Sequence, residues 1–195
     1  CNLNNQRCQI IGAGSNLLIN NIFIKGLVIC TKKLKSLKIE PYSGIVEAEA
    51  GVMLPTLSNA LAKNGLQGGE WAVGIPGTLG GAIYMNAGTG NISLAKNLIS
   101  VKVINNKTNE ELQIEKKDIT FEYRFSSFQS NDLTIISAKL HFEPNGNLEQ
   151  LIQTTKNNLK LKTETQPYHL PSFGSVFKNP ENNYAAKLID DMGLK

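Results

Sequence analysis

The sequence predicts an α+β protein built in two sections, residues 1–145 and 146–195. Segments that alternate at period two read as antiparallel strands and hairpins. Helical spacing is confined to three stretches, near residues 54–64, 147–166 and 184–192. Between the strand-rich part and the last two helices stands Pro144-Asn145-Gly146, the strongest boundary signal in the chain.

Gln9-Ile10-Ile11 is a short apolar run that reads as a strand, and Gly12-Ala13-Gly14-Ser15-Asn16 follows it as a phosphate-type loop. A βαβ dinucleotide fingerprint wants a third glycine where Leu17 stands, to let helix and strand pack closely, so that reading takes second place. Leu17-Leu18-Ile19 and Leu27-Val28-Ile29 are expected as buried strands around a turn at Asn20-Asn21. Leu37-Lys38-Ile39 and Ile45 to Ala50 outline a hairpin with its turn at Tyr42-Ser43-Gly44. Pro55 opens a helix carrying Leu54, Leu57 and Leu61 on one face, and Asn64-Gly65 ends it. Trp71 is expected in the core, and Glu70 as a solvated carboxylate.

Gly74 to Gly88, with five glycines and a proline in fifteen residues, is the stretch around which the chain is organised. So little side-chain bulk lets backbone N–H groups approach a phosphate or a flat ring. Pro76 fixes one φ angle, Gly77 and Gly80-Gly81 are free to take positive φ, and a short helix from Thr78 to Tyr84 is expected with Thr78 as its cap. A close-packed structural turn is the alternative reading. Further on, Ile99 to Ile104, a polar turn through Asn105 to Asn109, and Leu112 to Ile114 are strand-like. Leu133 to Phe142 reads as a long strand, with His141 a structural histidine at its end.

Asn147 looks like a helix cap with Gln150 at the capping-box position, and Leu148, Leu151, Ile152 and Leu159 make one apolar face that runs out before Pro167. His169 falls in a loop, as a surface or packing residue. Ser175-Val176-Phe177 is expected as a short strand, and Tyr184 to Met192 as an amphipathic helix ending at Gly193.

A chain of 195 residues, 41% hydrophobic and 18% charged, has the makings of an ordinary globular core. The net charge of +4 is scattered rather than gathered into a stripe, which argues against a nucleic-acid partner. Only Arg7 and Arg124 among the twenty basic residues are arginines, and an arginine kept in such a chain invites a geometric reason, its planar fork. Cys1, Cys8 and Cys30 are odd in number and lack metal-ligand spacing. They read as free thiols of a reducing compartment, with a disulfide or a reactive thiol as alternatives, and no metal site is expected. No apolar run approaches the ~20 residues that span a bilayer, and no signal peptide is visible. Opening on Cys1 and stopping just after a helix ends, the chain is expected to be a piece that lacks sequence at both ends.

Two glycine-rich loops about sixty residues apart can converge only through the fold. Together they suit a long dinucleotide with two phosphates and flat rings. Arg124, within Phe121-Glu122-Tyr123-Arg124-Phe125-Ser126-Ser127-Phe128, has aromatic neighbours able to hold a guanidinium against a planar ring or an acidic substrate. A surface arginine in an aromatic loop stays open beside that reading. Gly174-Ser175 taken alone is a turn, and no nucleophile elbow can be read there, because G-x-S-x-G is absent and neither histidine has an orienting acid.

In combination, G-x-G-S-N from Gly12, G-I-P-G-T-x-G-G-A-x-x-M-N-A-G from Gly74, Y-R-x-S-x-F from Tyr123 and G-S-x-F-K-N-P from Gly174 resemble one family. It is that of the UDP-N-acetylenolpyruvoylglucosamine reductases, bacterial flavoenzymes also called UDP-N-acetylmuramate dehydrogenases. The resemblance covers most of the chain. It implies a two-part FAD-binding domain of the vanillyl-alcohol-oxidase/PCMH type, followed by a smaller α/β substrate-binding domain incomplete here, in a cytoplasmic enzyme of peptidoglycan precursor synthesis. FAD is the implied cofactor and NADPH the implied hydride donor. The implied substrate is a small molecule, the enolpyruvyl ether of UDP-N-acetylglucosamine, reduced to UDP-N-acetylmuramate.

By the same resemblance, Gly12, Ala13, Gly14, Ser15, Asn16 and Leu17 border the cofactor's phosphates. Gly74, Ile75, Pro76, Gly77, Thr78, Gly80, Gly81, Ala82, Asn86, Ala87 and Gly88 wrap its pyrophosphate and flavin side. The pattern departs from the family after Gly88, where Thr89-Gly90-Asn91 replaces a second small-aromatic-glycine step. Arg124 is implied to stabilise negative charge building on the enolpyruvyl carboxylate, and Ser175 to donate the final proton. A carbanion alpha to a carboxylate is base enough to take a proton from a hydroxyl. Tyr123, Lys178 and Asn179 are implied to hold the substrate. The family's essential glutamate near its C-terminus has no match here, so the full-length protein is expected to be active and this piece poorly so. Rival readings are another FAD-dependent sugar or lactone oxidoreductase of the same fold, and a non-catalytic flavin- or nucleotide-binding module. Oligomeric state leaves no signal in the sequence.

Overall fold

The computed structural model describes residues 8–20, 23–166 and 174–194. It opens with β1 (Cys8–Ile11) and β2 (Leu27–Cys30), paired in parallel with Ile11 opposite Cys30. Both strands are half open to solvent, and Leu17-Leu18-Ile19 forms no strand at all, with Leu18 81% exposed. The expected burial of these runs is therefore corrected. Gly14 at φ +75° and the Leu17 N–H donating to the Gly14 carbonyl at 3.2 Å turn the chain out of line with β1, so apolar character finds no ladder to join. Asn21 of the expected turn lies outside the described residues.

β3 (Leu37–Glu40) and β4 (Ile45–Glu49) form the expected hairpin, closed by Gly44 at φ +70°. After it come α1 (Leu54–Lys63), a 3-10 turn at Glu70–Gly74, α2 (Leu79–Tyr84) and a small ribbon of β5 (Gly88–Thr89) and β6 (Ile92–Ser93). β7 (Leu98–Asn105) and β8 (Glu111–Glu115) make the next hairpin, and β9 (Phe121–Glu122) with β10 (Phe125–Ser126) a much shorter one. β11 (Leu133–His141) then runs between β4 and β7, giving an antiparallel five-stranded sheet in the order β3-β4-β11-β7-β8. Helices α3 (Leu148–Thr165) and α4 (Ala185–Asp191) follow, so helices and antiparallel sheet are segregated as the α+β expectation has it.

Period-two alternation decides the core. Val46 and Ala48 of β4, Val101 and Val103 of β7, and Ala138 and Leu140 of β11 are buried. They join one cluster with Leu54, Leu57 and Leu61 of α1, Leu79 and Ile83 of α2, and Phe128. Trp71 packs against that core half-buried, its Nε1–H donating to the Gly68 carbonyl at 3.1 Å. Glu70 is not merely solvated: the Gly68 N–H donates to its carboxylate at 3.0 and 3.1 Å, closing the turn ahead of the glycine-rich stretch. His141 keeps its structural place, its N–H donating to the Asn97 carbonyl at 2.8 Å while its own carbonyl accepts from Asn97 Nδ2 at 2.9 Å.

Asn147 caps α3, its Oδ1 accepting the Gln150 N–H at 2.9 Å. The helix packs on α1 and the 3-10 turn, burying Leu151 and Thr155. Leu148 and Leu159 stay on the open side, so its apolar face is narrower than their spacing suggests. Ser175-Val176-Phe177 is not a strand. No strand among the described residues pairs with it, and Val176 and Phe177 are 71% and 63% exposed. α4 begins after Tyr184, and Gly193 turns the chain beyond it at φ +68°. Cys8 and Cys30 are free thiols, whereas Cys1, Arg7 and His169 lie outside the described residues. Among the described residues no helix is long and apolar enough to cross a membrane.

Candidate functional site

The two glycine-rich loops interlock. Ser15 Oγ donates to the Pro76 carbonyl at 3.2 Å, and a Cβ placed on Gly77 would stand 3.0 Å from the same Oγ. A Cβ on Gly12 would collide with Thr78 Oγ1. Only chain without side-chain bulk can be brought this close. The N–H groups of Ala13, Gly14, Ser15 and Asn16 have no acceptor among the described residues, and nothing lies within 4 Å of where a Gly14 Cβ would point. An anion offered to this loop therefore meets several donors at once.

Thr78 caps α2 as expected, in extended conformation with Oγ1 accepting the Gly81 N–H at 3.5 Å. Gly77 takes φ +127°, but Gly80 and Gly81 do not take positive φ, because both lie inside α2. Gly80 has a different duty. Its N–H donates to the Ala50 carbonyl at 2.8 Å, the Leu79 N–H donates to Val52 at 2.8 Å, and a Cβ on Gly80 would sit 2.9 Å from that of Ala50. The helix start is thereby pinned to the end of β4.

Arg124 stands at the far end of α2. It is the second of two residues turning β9 into β10, with φ +57°, a backbone region costing a side-chain-bearing residue about 1–2 kcal/mol. Its guanidinium donates to the Gly88 carbonyl at 3.1 Å, and Cζ lies 5.0 Å from the Tyr123 ring centroid, a cation–π distance. Three side chains tie this turn to α2 and the residues after it. Asn86, itself at φ +43°, donates from Nδ2 to the Glu122 carbonyl at 2.9 Å, and its buried Oδ1 has no partner among the described residues. Ser126 Oγ and Gln129 Nε2 both donate to the Tyr84 carbonyl at 2.8 Å, and Gln129 Nε2 also reaches the Arg124 carbonyl at 3.3 Å.

The structure thus brings Gly12 and Ser15 of the first loop against Pro76, Gly77 and Thr78 of the second at one end of α2, and Asn86, Gly88, Tyr123 and Arg124 together at the other, whereas Gly74 is buried against the Lys162 side chain of α3. Ser175, Lys178 and Asn179 lie on an exposed stretch, and no hydrogen bond or ion pair among the described residues links them to the Arg124 turn. Asn179 has a local duty, its Oδ1 accepting the Ala185 N–H at the head of α4 at 3.1 Å. Ser126 and Gln129 carry no role in the sequence reading. Ser126 sits in a motif and was legible as a polar position there, whereas Gln129 follows Phe128 with no pattern to mark it.

A family model described as FAD binding domain matches residues 1–112, more than half of the chain. The chain belongs to this FAD-binding family. A second model, described as the C-terminal domain of UDP-N-acetylenolpyruvoylglucosamine reductase, matches residues 166–195. Relatives named UDP-N-acetylenolpyruvoylglucosamine reductase bear out the motif resemblance. That of Prochlorococcus marinus subsp. pastoris (strain CCMP1986 / NIES-2087 / MED4) is 74% identical over 193 residues, 99% of this chain and 65% of the relative. That of Synechococcus sp. (strain RCC307) is 44% identical, over 96% of this chain and 61% of the relative. The chain therefore spans a little under two thirds of the length of these relatives. The crystal structure of UDP-N-acetylenolpyruvylglucosamine reductase (MurB) from Thermus caldophilus matches with a TM-score of 0.83 at 29% identity, covering 98% of this chain and 68% of that one. The FAD-binding fold here is thus that of a solved MurB.

Proposed function

We propose that the full-length protein is a cytoplasmic, FAD-dependent and NADPH-linked reductase. In this reading it turns the enolpyruvyl ether of UDP-N-acetylglucosamine into UDP-N-acetylmuramate for peptidoglycan synthesis. The observation that carries the proposal is the interlock of the 12–17 loop with the 74–78 loop. The residues present suit FAD: unpaired N–H donors over Ala13–Asn16 face a pyrophosphate well, and the exposed, bare Gly81 lets a ring or ribityl chain approach α2. Gly12 to Leu17 and Gly74 to Thr78 would hold the phosphates, and Gly80 to Gly88 the flavin side. Bound there, FAD supplies hydride transfer, from NADPH to the enolpyruvyl double bond.

The chain's own residues do the rest. Arg124, half-buried at the end of α2 with its guanidinium 5.0 Å from the Tyr123 ring centroid, presents its planar fork to a substrate carboxylate and stabilises charge as it builds there. Ser175 Oγ–H donates the proton that completes reduction at the alpha carbon. Lys178 pairs with the anionic part of the substrate, and Asn179 keeps its Nδ2 for a polar group while Oδ1 serves α4. The FAD-binding section is proposed to run to residue 145, with α3 as the linking helix and a substrate-binding section beginning in the last thirty residues.

The test is anaerobic spectroscopy on the full-length protein. NADPH is expected to bleach the flavin, the UDP-sugar enolpyruvyl ether to restore its colour, and Ser175→Ala to abolish the second step alone. A flavin that bleaches and regains colour with a sugar lactone instead would overturn the substrate, and a protein unable to bind FAD would overturn the whole reading.

A further inference from the structure

We propose that Gln129 is a positioning residue for Arg124, a deepening that rests on the function just proposed. A primary amide carries two N–H donors, and the geometry spends both: one on the Tyr84 carbonyl at 2.8 Å, the other on the Arg124 carbonyl at 3.3 Å. Met85 Sδ, 3.7 Å from the same nitrogen, fills the remaining side of the amide. Gln129 therefore bridges the last turn of α2 to the backbone of Arg124 itself.

That backbone needs holding. Arg124 is neither glycine nor asparagine, yet it sits at φ +57°, and a conformation of this kind persists only where its surroundings over-determine it. Among the described residues the other positive-φ positions outside glycine, Asn86, Asn109, Asn145 and Asn182, are all asparagines, which tolerate that region. On the near side of the turn Asn86 holds the Glu122 carbonyl, and on the far side Gln129 holds that of Arg124. The guanidinium is aimed by the sum of these bonds. The Tyr84 carbonyl keeps a second donor in Ser126 Oγ at 2.8 Å, so α2 stays capped when Gln129 is replaced. Loss of Gln129 thus releases the arginine without releasing the helix.

The experiment compares Gln129→Leu and the near-isosteric Gln129→Glu, which both lack the donating amide, in the full-length FAD-loaded protein, alone and combined with Arg124→Ala. Flavin bleaching by NADPH is expected at the wild-type rate. Reoxidation by the enolpyruvyl substrate is expected to slow by about ten- to a hundredfold, the scale on which small misplacements act. In the Arg124→Ala background the same substitutions are expected to add nothing, because residues acting as a unit are not additive. Wild-type reoxidation in both Gln129 variants would overturn the assignment of Gln129 while leaving the function standing. An equal loss with and without Arg124 would also overturn it, exposing a general structural role. A wild-type protein that is bleached by NADPH but not reoxidised by the substrate would overturn both the function and this inference. A variant that folds poorly is replaced by its partner in the pair, and thermal unfolding of each is recorded beside the kinetics.

Discussion

Two adjacent glycines in α2 should respond to the same substitution with opposite signs. Gly80→Ala places a methyl 2.9 Å from Ala50 Cβ and 3.2 Å from the Ala50 carbonyl oxygen, at a point where two backbone hydrogen bonds pin the helix to the end of β4. Overpacking of this kind costs about 1–3 kcal/mol, and pushing the Gly80 N–H off its 2.8 Å bond to Ala50 adds about 1 kcal/mol. Against this stands a helix-propensity gain of about 0.5–1 kcal/mol. The net is a loss of about 1–3.5 kcal/mol, which lowers Tm by about 2–14 °C in a chain of this size. Gly81→Ala meets only Thr78 Oγ1, at an ordinary 3.6 Å, so the propensity gain survives and Tm rises by up to about 4 °C. Thermal and urea unfolding of the FAD-free protein followed by circular dichroism reads both. A Gly80→Ala protein as stable as Gly81→Ala would refute the close-approach argument. Titration with FAD adds a second axis: Gly81→Ala is expected to lose affinity while gaining stability, because its exposed bare backbone is what the proposed site uses.

Leu57→Ala, which empties a position 1% exposed beneath the sheet, is expected to cost about 2–5 kcal/mol by urea denaturation. Asn147→Ala removes the oxygen that accepts the Gln150 N–H and should cost about 0.5–2 kcal/mol, with Asn147→Asp restoring most of it in the same assay. Thr78→Ala and Gln129→Leu act at opposite ends of α2, and their effects on stability are expected to add within about 0.5 kcal/mol in the double variant. A larger discrepancy would mean that the helix shifts as one body.

Local chemistry was legible in the sequence wherever a residue type has one physical use. Thr78 before a glycine-rich helix, Asn147 three residues before Gln150, and Gly65 past Lys63 all fill the cap or stop positions expected of them. Alternation placed β4, β7 and β11 because one face of each is buried, and the edge strands β3 and β8 because Leu37, Ile39 and Ile114 pack partly buried against the same core. Where nothing covers a face, apolar composition misled: Leu17-Leu18-Ile19 and Val176-Phe177 look like strands but have no ladder among the described residues. The glycines divide in the same way. Gly77 needs its positive φ and could be read as a turn, whereas Gly80 answers to Ala50, thirty residues away, which no local pattern announces. Of the site, Arg124 was legible through its motif. Its φ and the amide that holds it are tertiary facts.

α2 explains why these parts belong to one site. Its six residues span about 9 Å, at about 1.5 Å of rise each. At its start, Thr78 touches the Gly12 loop and Gly77 meets Ser15, so the donors of the 12–16 segment are fixed relative to the helix. At its end, the Tyr84 carbonyl receives Ser126 and Gln129, and the Arg124 guanidinium binds the Gly88 carbonyl just beyond. A rod this short has little freedom to bend, and Gly80 clamps it to the central sheet through Ala50. The separation between the 12–17 loop and the half-buried Arg124 guanidinium is therefore set by the helix rather than by either loop. In the function proposed above, the cofactor's phosphates and the carboxylate of the substrate are therefore placed about one helix length apart. A flavin whose phosphates rest on the 12–17 loop is expected to lie along α2 with its ring toward the Arg124 turn, which is the placement that the Gly81→Ala titration with FAD tests.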